Sequence, residues 1–344
     1  YRHSCLREDR LAVFLCQKVW VCRVSRRRRV QNWGTRQFAM NYAELQVTSN
    51  FSFLRGGSHP DELAITAAAL GLSAIAITDR NSLAGVVRAH GAAKEAGIRL
   101  IVGSRLDLQV DLQENLSLLC FPTDRAAYGR LSRLLTVGRR RAPKGDCWLS
   151  LGDVFAHDQG QIFVILPAEE QDAAFADQAK KLGQRWPGRC YLAGHYLYSC
   201  DDHRRLARLA RLAADADTPL VATNDVHYHS PGRRPLQDVL CCIREHCTLA
   251  GAGFRLSANA ERHLKTPSEM ARLFAAYPDA VARTAELAER CRFSLDELRY
   301  EYPAEPVPHG RTAQEELTRL TWLGAHARYG REVVPSVGDL LRHE

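Results

Sequence analysis

The chain has 344 residues and a mass of 38.6 kDa, and is 46% hydrophobic, 25% charged and 8% aromatic; this is enough apolar material for a buried core and two or so domains, and it excludes disorder as the main state. No apolar run approaches the roughly 18 residues of a membrane helix, since the most apolar early stretch, Leu11 to Val24, is broken by Gln17, Lys18 and Arg23. The formal charge of +8 arises entirely within residues 1–40, where ten Lys/Arg face Glu8 and Asp9; the rest of the chain holds 37 residues of each sign, so basicity as such does not indicate a nucleic-acid partner.

Residues 1–39 show no helical or alternating period and carry the Arg26–Arg29 run. They read as an unstructured or artefactual extension ahead of a start at Met40, with a targeting peptide as the alternative. From Tyr42 a βα rhythm begins. Leu45–Val47 and Ser73–Thr78 read as buried strands. Between them a helix opens at Ser58-His59-Pro60-Asp61 and ends at Gly71. A helix over Ser82–Ala96 closing at Gly97, strands at Arg99–Val102 and Leu116–Phe121, and a helix over Asp124–Thr136 follow. Gly138–Gly145 reads as a surface loop. Further units are strand Ile162–Leu166, helix Ala173–Leu182, strand Cys190–Leu197, helix Asp202–Ala214 and strand Leu220–Thr223. This alternation predicts a largely parallel sheet or barrel with outer helices. Beyond Tyr228 the pattern is helical: Arg234–Arg244, a capping box at Thr266-Pro267-Ser268-Glu269 leading into Met270–Ala276, and Pro278–Cys291. A proline linker (Pro303, Pro306, Pro308) then precedes a helix over Thr312–Tyr329.

Eleven cysteines without C-x-x-C spacing, several in apolar contexts such as Leu118-Leu119-Cys120, point to free thiols in a reducing cytoplasm. Strand ends are where such folds place chemistry. Two candidates lie there, Thr78-Asp79-Arg80-Asn81 and Thr223-Asn224-Asp225-Val226-His227-Tyr228. Asp225 and His227 share a strand face and form half a metal site, or a hydrogen-bonded strand-end pair. Gly56-Gly57 reads as a tight turn rather than a phosphate loop, Arg139–Arg141 as a solvated run, and His195, His203 and His246 as ordinary polar residues.

The phrases FSFLRGGSHPDEL, AITDRNSLAGVVRAH, GIRLIVGSRLDL, VATNDVHYHSPGRRPLQDVLCCIREHCTL and LKTPSEMARLF resemble the polymerase and histidinol phosphatase (PHP) domain that begins the bacterial C-family DNA polymerases, most sharply its error-prone, damage-induced branch. The resemblance implies an α/β fold, a PHP-type distorted seven-stranded βα barrel followed by an α-helical extension. It places the PHP domain at 40–232, a helical linker at 233–300 and the start of a polymerase core at 301–344. It also implies translesion synthesis by a nucleotidyltransferase acting on DNA and deoxynucleoside triphosphates, with Mg²⁺ in a core lying downstream, and with a sliding clamp and mutagenesis accessory proteins as partners. The family's metal ligands map poorly here. Gln46-Val47-Thr48 stands where His-x-His is expected, Arg80 replaces a histidine and Arg105 an acid, while Asp79, Asp225 and His227 remain. Neutral amide and hydroxyl groups are weak substitutes for imidazoles. The expectation is therefore a vestigial site with no catalytic residues or metal, in which Arg80 and Arg105 pair with Asp79 and Asp225. The alternatives are a free-standing PHP metallophosphoesterase and a non-catalytic interaction module.

Overall fold

Local chemistry explains most helix boundaries. The computed structural model describes residues 41–110, 114–168, 172–299 and 307–344; the expected extension over 1–39 and the linker residues Pro303 and Pro306 lie outside them. Helix α1 (Pro60–Ala69) starts with proline at its first position, and the Glu62 carboxylate accepts the His59 N–H at 2.9 Å. Helix α2 begins at Val86, four residues later than the sequence suggests, and runs to Ala96 before Gly97 at φ 69°. Asn81 adopts φ 47° and the Ser82 N–H donates to Ser104 Oγ, so the chain turns there before it coils. Helix α3 (Arg125–Arg141) is capped by Asp124, which accepts the Ala127 N–H at 2.7 Å, and it continues into the first half of the expected loop. Gly138 is required for packing rather than turning, because a Cβ there would lie 2.6 Å from Cys147 Sγ.

Among the described residues eight strands form two sheets. Parallel strands β1 (Ala43–Glu44), β2 (Ala74–Ile77) and β3 (Arg99–Val102) make the first. The second runs in order through β4 (Ser104–Val110), β5 (Glu114–Pro122), β6 (Gln161–Leu166), β7 (Cys190–His195) and β8 (Leu220–Thr223), antiparallel at β4–β5 and β5–β6 and parallel beyond. A seven-stranded barrel is therefore not what the hydrogen bonds describe. Among the described residues the two sheets are joined by single bridges, Val47 to Val226 and Arg80 to Arg105. Strand β4 escapes the sequence reading although Leu106 and Leu108 alternate with Arg105 and Asp107.

Strand alternation divides the core in two. One face of the strands, including Ile75, Ile77, Leu118, Phe163 and Leu192, packs on α1, α2, α3, α5 (Ala173–Arg185) and α6 (Asp202–Asp215). The opposite faces of both sheets meet in a second cluster containing Leu45, Ala76, Ile101, Phe121, Val164 and Val221. Helices α4 (Leu151–Ala156), α7 (Arg234–Arg244) and α8 (Pro267–Leu273) precede α9 (Pro278–Arg290). Helix α9, within the segment expected to lead toward the polymerase core, adds Leu287 and Ala288 to that second cluster, which Cys291 just beyond it also joins. Thr284 Oγ1 accepts the Ala43 N–H at 3.0 Å. At α8 only half of the expected capping box forms: Thr266 accepts from Glu269 N–H, while the Glu269 carboxylate accepts from Tyr198 and Arg272. Helices α10 (Ala313–Tyr329) and α11 (Pro335–His343) close the chain, the second unforeseen from sequence. Among the described residues no helix is long and apolar enough to cross a membrane.

Candidate functional site

The strand ends of β1, β2, β4, β7 and β8 converge beside a cleft of about 1190 Å³. Gln46 lines it. Its Oε1 accepts from His195 Nε2 at 2.7 Å and from Thr223 Oγ1 at 3.0 Å, and its Nε2 donates to Asp225 Oδ1 at 2.7 Å. A neutral amide can do this because it carries a donor and an acceptor on one planar group. The other Asp225 oxygen accepts from Arg262 Nη1, and His227 Nε2 stands 3.6 Å from Oδ1. Burial would raise the Asp225 pKa, but the Arg262 and His227 charges hold it well below the usual carboxylate range. Desolvation lowers His195 to about 4 despite the Asp225 charge, leaving its imidazole neutral near pH 7. His227 is also lowered, by desolvation against the pull of Asp225. Asp225 has φ 45°, a left-handed conformation that aspartate tolerates better than most residues.

Asp79 and Thr48 stand behind this wall. Asp79 Oδ1 accepts from Ser49 N at 2.9 Å and Ser52 Oγ at 2.7 Å, and Oδ2 from Ser49 Oγ at 2.8 Å. Desolvation raises its pKa against these hydrogen bonds. Thr48 is buried and its N–H donates to Val226 O at 2.8 Å. The Gly56-Gly57 turn belongs to the same clamp: a Cβ on Gly56 would lie 2.2 Å from Ser49 O, and Gly57 N–H donates to His227 O.

The expected pairing of Arg80 and Arg105 with Asp79 and Asp225 is corrected by the structure. Arg80 Nη1 and Arg105 Nε donate to the two oxygens of Asp107, at 2.8 and 2.7 Å. The reason is geometric. Arg105 and Asp107 lie two apart on one face of β4, Asp79 is saturated by serines, and Asp225 is already held by Gln46 and Arg262. Ser117 Oγ donates to Asp107 Oδ1 at 2.7 Å and the Asp107 N–H donates to Asn81 Oδ1 at 3.0 Å, fixing the carboxylate. Desolvation, then repulsion from Arg105, lowers Arg80 to about 10.

Three participants, Glu44, Asp107 and Arg262, were not singled out from sequence, and a fourth, His195, was read there as an ordinary polar residue but bonds Gln46. His195 ends β7 and Asp107 sits in the alternating SRLDLQV stretch, so both carried a strand-end or period-two signal; Glu44 carried none beyond adjacency to the first strand, and Arg262 comes from irregular chain with no pattern at all. Glu44 is fully buried beneath Gln46. Burial raises its pKa to about 7, against hydrogen bonds from Tyr42 OH at 2.7 Å and Gln46 N–H at 2.9 Å.

A divalent metal cluster does not fit this donor set. The Asp79 and Asp225 oxygens are occupied, guanidinium groups border the cleft, and among the described residues no three His, Cys, Asp or Glu side chains are placed to hold an ion.

Residues 44–181 match the family model of the PHP domain. The chain is 54% identical over 303 residues to an error-prone DNA polymerase of Caulobacter vibrioides and 48% identical over 309 residues to one of Brucella suis, alignments that cover 88% of this chain and 28% of either relative. The chain thus spans under a third of the length of these curated relatives. A solved structure described as a metal-dependent phosphoesterase, from Bifidobacterium adolescentis, is 18% identical with a TM-score of 0.43, covering 54% of this chain and 88% of that one.

Proposed function

We propose, from the premise that this chain carries a PHP domain and is homologous to error-prone DNA polymerases, that it is the PHP-bearing region of a DNA-directed DNA polymerase used in damage-induced translesion synthesis. The observation that carries this reading is the 54% identity extending over 88% of the chain, well beyond the PHP match itself. On this reading residues 40–232 form the PHP domain, 233–300 lead out of it and 301–344 enter the polymerase core, with the two bridged sheets forming a distorted barrel. Nucleotidyl transfer belongs to a core whose carboxylates hold Mg²⁺ around the incoming triphosphate. DNA, deoxynucleoside triphosphates, a sliding clamp and mutagenesis accessory proteins are then partners of the whole enzyme. The free cysteines among the described residues suit a reducing cytoplasm.

The PHP cleft itself is read as a scaffold without phosphoesterase activity. Support comes from its chemistry: amide and hydroxyl groups stand at Gln46 and Thr48, and Arg80, Arg105 and Arg262 hold the neighbouring carboxylates. Primer extension over a damaged template with Mg²⁺, using the longer gene product, tests the first part; absence of synthesis by that product overturns it. Phosphoesterase assay of the 344-residue chain with Mn²⁺ tests the second, and hydrolysis abolished by Asp225→Asn overturns it.

A further inference from the structure

The cleft that contains Gln46 is strongly cationic although residues 41–344 taken together are formally neutral. Seven Lys/Arg and three Asp line it, Asp107, Asp146 and Asp225 being the acids. Those acids do not neutralise it. Asp225 is committed to Gln46 and Arg262, and Asp107 is shared between Arg80 and Arg105. Arg55, half-buried on the same wall, makes no ion pair or hydrogen bond through its guanidinium among the described residues. Its pKa is lowered by burial first and by Arg244 next, with Arg105 adding to the repulsion. Arg205 donates through Nη2 to Asp202 and to the His195 carbonyl, but its Nε is buried without a partner.

The way Asp107 is held shows what this wall is shaped to grip. One carboxylate accepts from two guanidinium groups at 2.8 and 2.7 Å, so Arg80 and Arg105 converge on a point that an oxyanion fills. Arg80 uses only Nη1 in this contact, leaving further N–H groups, and all five of Arg55 remain. Guanidinium is planar, always charged and weakly hydrated, the combination that suits phosphate oxygens in a partly desolvated cleft. A cation cluster of this kind is repulsive by itself and is relieved by an added anion.

We propose that the cleft is a binding site for a phosphoryl oxyanion, gripped by Arg55 together with the free edges of Arg80 and Arg105. The ligand is inorganic phosphate or the phosphate of a mononucleotide; the cleft volume accommodates either. The inference rests on the reading that no metal cluster occupies the cleft.

Calorimetric titration of the 344-residue chain in chelator, with inorganic phosphate and separately with a deoxynucleoside monophosphate, tests it. Saturable one-to-one binding is expected, weakened about tenfold or more by Arg55→Ala and unchanged by Arg133→Ala, an exposed α3 residue outside the cleft. Thermal melting without ligand keeps the two variants comparable in fold, since Arg55 has no internal guanidinium partner to lose. Tighter binding of the nucleotide than of phosphate assigns the site to a nucleotide, and equal binding to the free anion. No saturation by either ligand, or equal loss in both variants, overturns the proposal while leaving the metal-free reading intact. Binding seen only after Mn²⁺ is added overturns both.

Discussion

Gln46 joins His195 to Asp225 through one amide, accepting at 2.7 Å from the first and donating at 2.7 Å to the second. Two groups that elsewhere serve as metal ligands are thereby spent on each other by way of a neutral side chain. Gln46→Ala leaves the imidazole N–H and one carboxylate oxygen without their partner in a buried setting. We expect a loss of about 2–4 kcal/mol of stability, read from the urea midpoint. A shift below half a kcal/mol would show that water replaces the amide at no cost.

Asp107 is the only carboxylate paired with both Arg80 and Arg105 among the described residues. Asp107→Asn removes one negative charge and releases both guanidinium groups. Because the pairs are partly exposed, the expected destabilisation is about 1 kcal/mol. The same change should strengthen phosphate binding in the calorimetric experiment, since the internal competitor is weakened. Weaker binding would mean that Asp107 orients the arginines rather than competing with the ligand.

Glu44 gives the fold a pH dependence of definite sign. Its folded pKa is raised to about 7 by burial, so the folded state holds a proton that the unfolded chain releases. The associated stability is complete below the ordinary glutamate pKa and is lost as pH rises through about 7. Comparing wild type with Glu44→Gln between about pH 5 and 8 isolates this contribution, because both share the depressed His195 and His227, whose effects run in the opposite direction. The stability of wild type relative to the variant should fall by about 2.5 kcal/mol over that window. A constant difference in chemical denaturation would rule this out.

Leu287 is fully buried between α9 and the strands. Leu287→Ala should cost about 2–5 kcal/mol, with unfolding remaining cooperative by circular dichroism. A second, separate transition for the helical part would contradict joint folding.

Most strands and helices were legible because they follow period-two or 3.6 patterns bounded by caps: Asp124, Gly97 and Pro267 mark their elements in the sequence as they do in the structure. Strand β4 and helix α11 were passed over, and two misplaced boundaries share one cause, a residue serving two purposes. Gly138 reads as punctuation but is a packing contact, and Ser82 reads as the start of a helix but spends its amide on Ser104. At the site, strand-end position located Asp79, Arg80, Asp225 and His227, and the family resemblance pointed to Gln46, Thr48 and Arg105. Which cation meets which carboxylate was not legible, because Asp107 lies on a strand that the sequence reading passed over and Arg262 enters from a chain position that no local pattern ties to the others.

The placement of α9 bears on how the polypeptide matures. Its Leu287 and Ala288 cover apolar strand faces that were synthesised as far back as Leu45. A ribosome that has delivered only the last strand has therefore produced a sheet pair still open to water on that side, and some seventy further residues must emerge before it is sealed. Truncation just after Thr223 should accordingly yield a sticky, chaperone-dependent product, whereas ending beyond Cys291 leaves the seal in place.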